Sequence, residues 1–98
     1  MRVVNSPAAD ADLMEIAAYI AQDNPTRARS FVIELRARSR QLGEAPAIGR
    51  ARPDIGTGIR VVSHGNYLIF YSMHDDIVRI ERFMHGARDI GGDDFGAV

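Results

Sequence analysis

Residues 59–84 constrain the fold more than any other part of the chain. "IRVVS", "YLIFYSM" and "IVRIERFM" are each of strand length and rich in β-branched and aromatic residues. His64-Gly65-Asn66 separates the first pair, and Asp75-Asp76 separates the second. Links this short join strands as hairpins, because a parallel crossover needs about a dozen residues or more. The segment therefore reads as a three-stranded antiparallel meander. A sheet of this kind must bury at least one face against another layer.

The N-terminal half supplies that layer. Residues 1–5, "MRVVN", read as a short strand. "SPAADADLMEIAAYIAQDN" reads as a helix, with Ser6 as N-cap, Pro7 in the first turn, and Asp10 and Asp12 suited to a helix N-terminus. Leu13, Ile16, Ala17 and Ile20 recur at helical spacing and are expected in the core. Asn24-Pro25 breaks the helix, and a second runs from Thr26 to about Leu42. Its apolar stripe is Ala28, Phe31, Val32, Leu35 and Leu42, with Gly43 expected just past its end. The fold class is thus α+β, in the order β-α-α-β-β-β, with an antiparallel sheet against a helical hairpin and the opposite sheet face open. Residues 44–58 form a long Gly- and Pro-containing loop, of the kind that is usually functional or mobile. Residues 1–90 make one domain, and residues 91–98 a flexible tail with little to bury.

Composition narrows the function classes. Ninety-eight residues without cysteine exclude disulfides and thiolate metal sites, and suit a cytoplasmic protein. No run of about 18 apolar residues is present, so no membrane span or membrane partner is expected. His64, His74 and His85 lack HxH or HExxH spacing, and no glycine pattern matches a nucleotide loop, so neither metal nor cofactor is expected. The net charge of −1 hides an uneven layout: residues 27–60 carry eight arginines against Glu34, Glu44 and Asp54, a local +5. Every basic residue is arginine. Arginine suits flat, bidentate contact with carboxylate or phosphate, although genome base composition produces the same bias. "RFMHGARD", Arg82 to Asp89, gathers two arginines, a histidine and an aspartate at the end of the last strand. Either that segment ends the sheet and anchors a binding surface, or it performs chemistry.

Five motifs in order carry a resemblance. They are the "YIA…NP" helix end, "P-x-x-G-R" at Pro46–Arg50, "G-x-R" at Gly58–Arg60, "Y-x-I-x-Y" at Tyr67–Tyr71, and "R-x-x-H-G-x-R-D" at Arg82–Asp89. Together, over roughly Met1 to Asp89, they resemble the ParE toxins of the ParE/RelE toxin–antitoxin superfamily. The resemblance implies the same β-α-α-β-β-β fold. It also implies the toxin of a type II module that inhibits DNA gyrase, a plasmid-stabilisation role, and a ParD-like antitoxin with a ribbon-helix-helix N-terminus as partner in a hetero-oligomer. No direct sequence-specific nucleic-acid binding is expected.

The antitoxin is expected to cover Met14, Ile33 and Ala37, with its acidic tail near Arg29, Arg36 and Arg40. For gyrase, the resemblance points to the C-terminal strand and its end: Arg82, His85, Arg88 and Asp89. RelE-type relatives instead cut ribosome-bound messenger RNA, and a fold alone does not choose between the two activities. Were this chain a ribonuclease, Arg60 and Arg82 would clamp the phosphate, His85 would be the acid or base, and Tyr67 or Tyr71 would assist. Two departures weigh against that: no tyrosine follows His85, and there is no lysine. A remnant that binds antitoxin without toxicity is a further alternative.

Overall fold

The structure, a computed structural model, describes residues 1–95. Strand β1 (Arg2–Asn5) leads into helix α1 (Pro7–Ala21) and helix α2 (Pro25–Glu44). Strands β2 (Arg50–Ala51), β3 (Arg60–His64), β4 (Tyr67–His74) and β5 (Ile77–His85) follow, then a 3-10 turn at Gly92–Phe95. The α+β order read from the sequence is the order observed, with β2 added inside the long loop.

Capping starts both helices. The Ser6 hydroxyl oxygen accepts from the Ala9 amide at 3.0 Å and donates to the Glu81 carbonyl at 2.8 Å, so one side chain begins α1 and ties it to β5. The Asn24 side chain accepts from the Arg27 amide at 3.0 Å, and Pro25 takes the first helical position of α2. Gly43 does not end α2. It lies within the last turn and is buried, because the N-terminal ammonium donates to its carbonyl at 2.7 Å and a Cβ there would collide with the Met1 carbonyl oxygen. Glycine serves close approach at this position rather than a left-handed turn.

The strands lie in the order β1-β5-β4-β3-β2. The meander β3-β4-β5 is antiparallel as expected, but β1 pairs parallel with β5, from Arg2 opposite Ile77 to Asn5 opposite Ile80, so the sheet is mixed. The helical hairpin is the long crossover that makes this parallel pairing feasible. Against the helices lies the main core: Ala9, Leu13, Ile16, Phe31, Leu35 and Leu42 meet Val62, Ile69, Tyr71, Val78, Ile80 and Phe83. The opposite sheet face is not open. Val61, Phe70 and Met84 are covered there by Ile55 and Ile59 of the loop, with Leu68, Ile90 and Phe95 packed around them. Phe95 meets Phe70 edge-on at 5.1 Å between ring centroids. Phe95, inside the segment expected as a flexible tail, thus packs on this second cluster; residues 96–98 lie outside the described residues.

Candidate partner-binding surfaces

The end of β5 is shaped by a bulge. Phe70 stands opposite Arg82 and Tyr71 opposite Ile80, so Glu81 is the extra residue. Ile80 and Phe83, three positions apart, both enter the main core as a result. Beyond Ile80 the strand has no β1 partner, since β1 ends at Asn5. Asp12 of α1 fills that gap. Its carboxylate accepts from Arg82 Nε at 2.7 Å, from Arg82 Nη2 at 2.8 Å and from the Phe83 amide at 3.0 Å. Its side chain is 7% exposed, and that of Arg82 18%. The hydrogen bond to Asp12, ahead of every other influence, raises the Arg82 guanidinium pKa above its ordinary value. Arg82 Nη1 donates to the Asp94 carbonyl, so the same guanidinium also holds the C-terminal turn.

Asp12, which the sequence suits to a helix N-terminus, is instead a buried anchor. The signal was its place: Ala9, Asp12, Leu13 and Ile16 share one helical face, and all four are buried. Tyr71 is another such residue. Its hydroxyl donates to the Pro46 carbonyl at 2.7 Å and accepts from the Gly49 amide at 2.8 Å, pinning the loop to the core. A Cβ at Gly49 would come within 2.5 Å of that hydroxyl oxygen, which explains the glycine.

The conditional catalytic set does not assemble. Arg60 stands opposite Tyr71 and Arg82 opposite Phe70, and those two β4 neighbours enter different cores. Arg60 instead donates to the carbonyls of Gly49 at 2.7 Å and Ala47 at 3.4 Å. His85 is exposed, and its Nδ1 accepts from the Ala87 amide at 3.1 Å.

Two surfaces remain. On α2, Arg29, Ile33, Arg36, Ala37 and Arg40 follow one helical stripe. Ile33 is 59% exposed, the three arginines are exposed, and Ala37 is half-buried. Arg36 and Arg40 line a groove of about 320 Å³ with Val3, Asn5, Asp10, Ser39 and Phe83, and Ala37 and Arg40 line the groove beside it with Met1 and Val3. Both grooves run along β1, whose outer edge has no strand partner among the described residues. Met14 is 75% exposed on the other helix. The second surface is the exit from β5, where His85, Arg88 and Asp89 are exposed and Arg88 pairs with Asp94 at 2.8 Å. Of the four residues expected there, Arg82 is the one held inside.

A third cluster links α2 to the β3–β4 turn. Glu34 bonds Arg27 and, at 2.9 Å, His64 Nε2. The hydrogen bonds from Arg27 first and His64 second lower its carboxyl pKa to about 2. No helix among the described residues is long and apolar enough to cross a membrane.

A family model for the ParE toxin of the type II toxin–antitoxin system parDE matches residues 3–90. Among solved structures, the chain is similar to one described as "Chromosomal ParDE TA system from P. aeruginosa", with a TM-score of 0.73 and 20% identity over 87% of this chain and 95% of that one. At that identity the likeness concerns the fold. No curated protein sequence matches.

Proposed function

This chain belongs to the ParE toxin family of type II toxin–antitoxin systems, and from that premise we propose that it stalls DNA gyrase by binding it and is neutralised by a ParD-like antitoxin. The observation that carries the binding reading is the dispersal of its polar groups. Arg60 is engaged by loop carbonyls and Arg82 by Asp12, on registers that lead to different cores, so these two arginines form no joint phosphate clamp. RNA cleavage by 2′-hydroxyl attack needs a base, a cation and an acid around one phosphate. Inhibition by contact needs only a presented surface.

The antitoxin's acidic tail lies along Arg29, Arg36 and Arg40 in this reading, with apolar side chains on Ile33, Ala37 and Met14. Among the described residues Arg29, Arg36 and Arg40 form no ion pair, and Arg36 and Arg40 lie beside a strand edge without a strand partner, which favours such an acidic chain even with Asp10 in the same groove. Its ribbon-helix-helix N-terminus stays free for other contacts. Gyrase meets His85, Arg88 and Asp89, with Arg82 beneath them as the anchor that shapes the strand end.

Two assays on one preparation test the function. Gyrase supercoiling and trapped DNA breaks are measured beside cleavage of ribosome-bound messenger RNA. Loss of supercoiling with intact messenger RNA is expected. Messenger RNA cleavage that His85→Ala lowers by about 10²–10⁴-fold, the scale of a general acid or base, with gyrase untouched, overturns the proposal.

A further inference from the structure

One end of the molecule carries a continuous run of aromatic rings, of which only His85 also belongs to the surface at the exit from β5. His64 lies 5.6 Å from Phe31, Phe31 5.3 Å from Tyr67, and Tyr67 5.1 Å from His85, centroid to centroid. The Arg27 guanidinium sits over Phe31 at 5.1 Å. The run opens into a pocket of about 550 Å³ lined by Tyr19, Ile20, Asn66, Tyr67 and His85. That volume falls within the range of about 300–1,000 Å³ typical of small-ligand sites. Tyr19 is 69% exposed, so its ring is open to a ligand. Tyr19, Tyr67 and His85 are far apart in sequence; the end of α1, the start of β4 and the end of β5 bring them together.

We propose that this pocket takes an unstacked nucleobase, as a sequence-tolerant site for single-stranded nucleic acid. The chemistry of the rim favours a base over an apolar side chain. His85 Nδ1 accepts from the Ala87 amide, which places the imidazole proton on Nε2 as a donor free to face outward. The phenol of Tyr67 is both donor and acceptor, and burial first and Tyr19 second raise its pKa further above the ordinary value. Among the described residues, no protein hydrogen bond engages the side chains of Tyr19, Asn66 or Tyr67. A phenylalanine or leucine entering here would desolvate these groups without pairing them. A base offers a flat π-face to Tyr19 and Tyr67, and an edge of donors and acceptors to Asn66 and His85. Every base has such a face, so stacking gives affinity without strong sequence preference. The site does not rest on gyrase being the target.

Tyrosine fluorescence reads the pocket directly, because the chain has three tyrosines and no tryptophan, and Tyr71 is buried elsewhere. The probes are a short oligothymidylate, the matching oligouridylate, adenosine monophosphate, and a phenylalanine-containing peptide of similar length. Saturable quenching by the oligonucleotides is expected. Fluorescence anisotropy of a dye-labelled oligothymidylate gives affinities for the variants. Tyr19→Ala, at an exposed position, is expected to weaken binding about 5- to 100-fold, the scale of one base–aromatic stack, and Tyr19→Phe to restore most of it. Asn66→Ala is expected to weaken it less. No quenching by any nucleotide probe, equal affinity in Tyr19→Ala, or binding of the peptide alone each overturns the proposal.

Discussion

Replacing Asp12 with alanine tests whether Arg82 is an anchor or a contact residue. The substitution removes a carboxylate whose side chain is 7% exposed, and leaves Arg82 and the Phe83 amide without their acceptor. Breaking a buried ion pair from one side costs about 3–5 kcal/mol. Arg82 keeps its bond to the Asp94 carbonyl, and its 18% exposure admits some water, so the lower end applies, about 3 kcal/mol. A domain of this size has only about 5–15 kcal/mol in total. With a urea slope of about 1–3 kcal/mol per molar, the midpoint should fall by roughly 1–3 M at unchanged slope. Asp12→Asn keeps an oxygen for the Phe83 amide and loses the charge, so about half the effect is expected. Combining Asp12→Ala with Arg82→Met should cost less than the two single changes summed, because the residues share one interaction. Partner affinity, measured per folded molecule, should hold in Asp12→Asn. A midpoint shift equivalent to less than about 1 kcal/mol in Asp12→Ala, or strict additivity in the double variant, would refute the anchor.

Three other outcomes follow from the same structure. Changing Arg29, Arg36 and Arg40 together to Gln should weaken antitoxin binding and flatten its salt dependence; an unchanged salt slope would reduce them to a solvated helix face. Glu34 has a folded pKa of about 2 against an ordinary 4.5, so the stability it contributes is present above pH 4.5 and lost as pH falls towards 2. The urea midpoints of the protein and of Glu34→Gln should therefore converge across that interval, and a constant gap down to pH 2 would contradict the shift. Tyr71→Phe strips the loop of both its hydroxyl bonds and should cost about 1–3 kcal/mol, with faster hydrogen exchange at the Gly49 amide; an unchanged exchange rate there would show that the loop is held by other means.

The parts legible in the sequence are those set by local chemistry. Ser6, Pro7, Asn24 and Pro25 mark both helix starts because caps act within a turn. Gly65 and Asp75, with φ of 57° and 54°, take the left-handed conformations that the two short links require, and both residue types tolerate it. The parallel partner of β1 was not legible, since nothing in "RVVN" records which strand lies beside it. The bulge left a trace in Ile80-Glu81-Arg82-Phe83, where strict alternation would drive Arg82 into the core beside Ile80. That trace becomes readable once Asp12 is seen to share the buried face of α1. The covered second face is not legible because its cover comes from Ile55, Ile59, Ile90 and Phe95, which lie outside the α-helices and strands and share no periodicity to read. Of the candidate contact residues, the α2 stripe follows from helical spacing alone, whereas the inward hold on Arg82 depends on a residue 70 positions away.

Whether this chain acts on gyrase by occupying it, as proposed, is read from the dose dependence of supercoiling. Purified gyrase at fixed concentration is titrated with the protein, and residual supercoiling is scored after a short and a long incubation. An occupying inhibitor gives a curve that levels off near stoichiometric amounts at tight binding, is the same at both times, and returns to full activity when excess antitoxin is added. Inhibition that deepens with time at strongly substoichiometric protein and survives the antitoxin would mark a chemical reaction instead, and no inhibition at large excess would remove gyrase as the target.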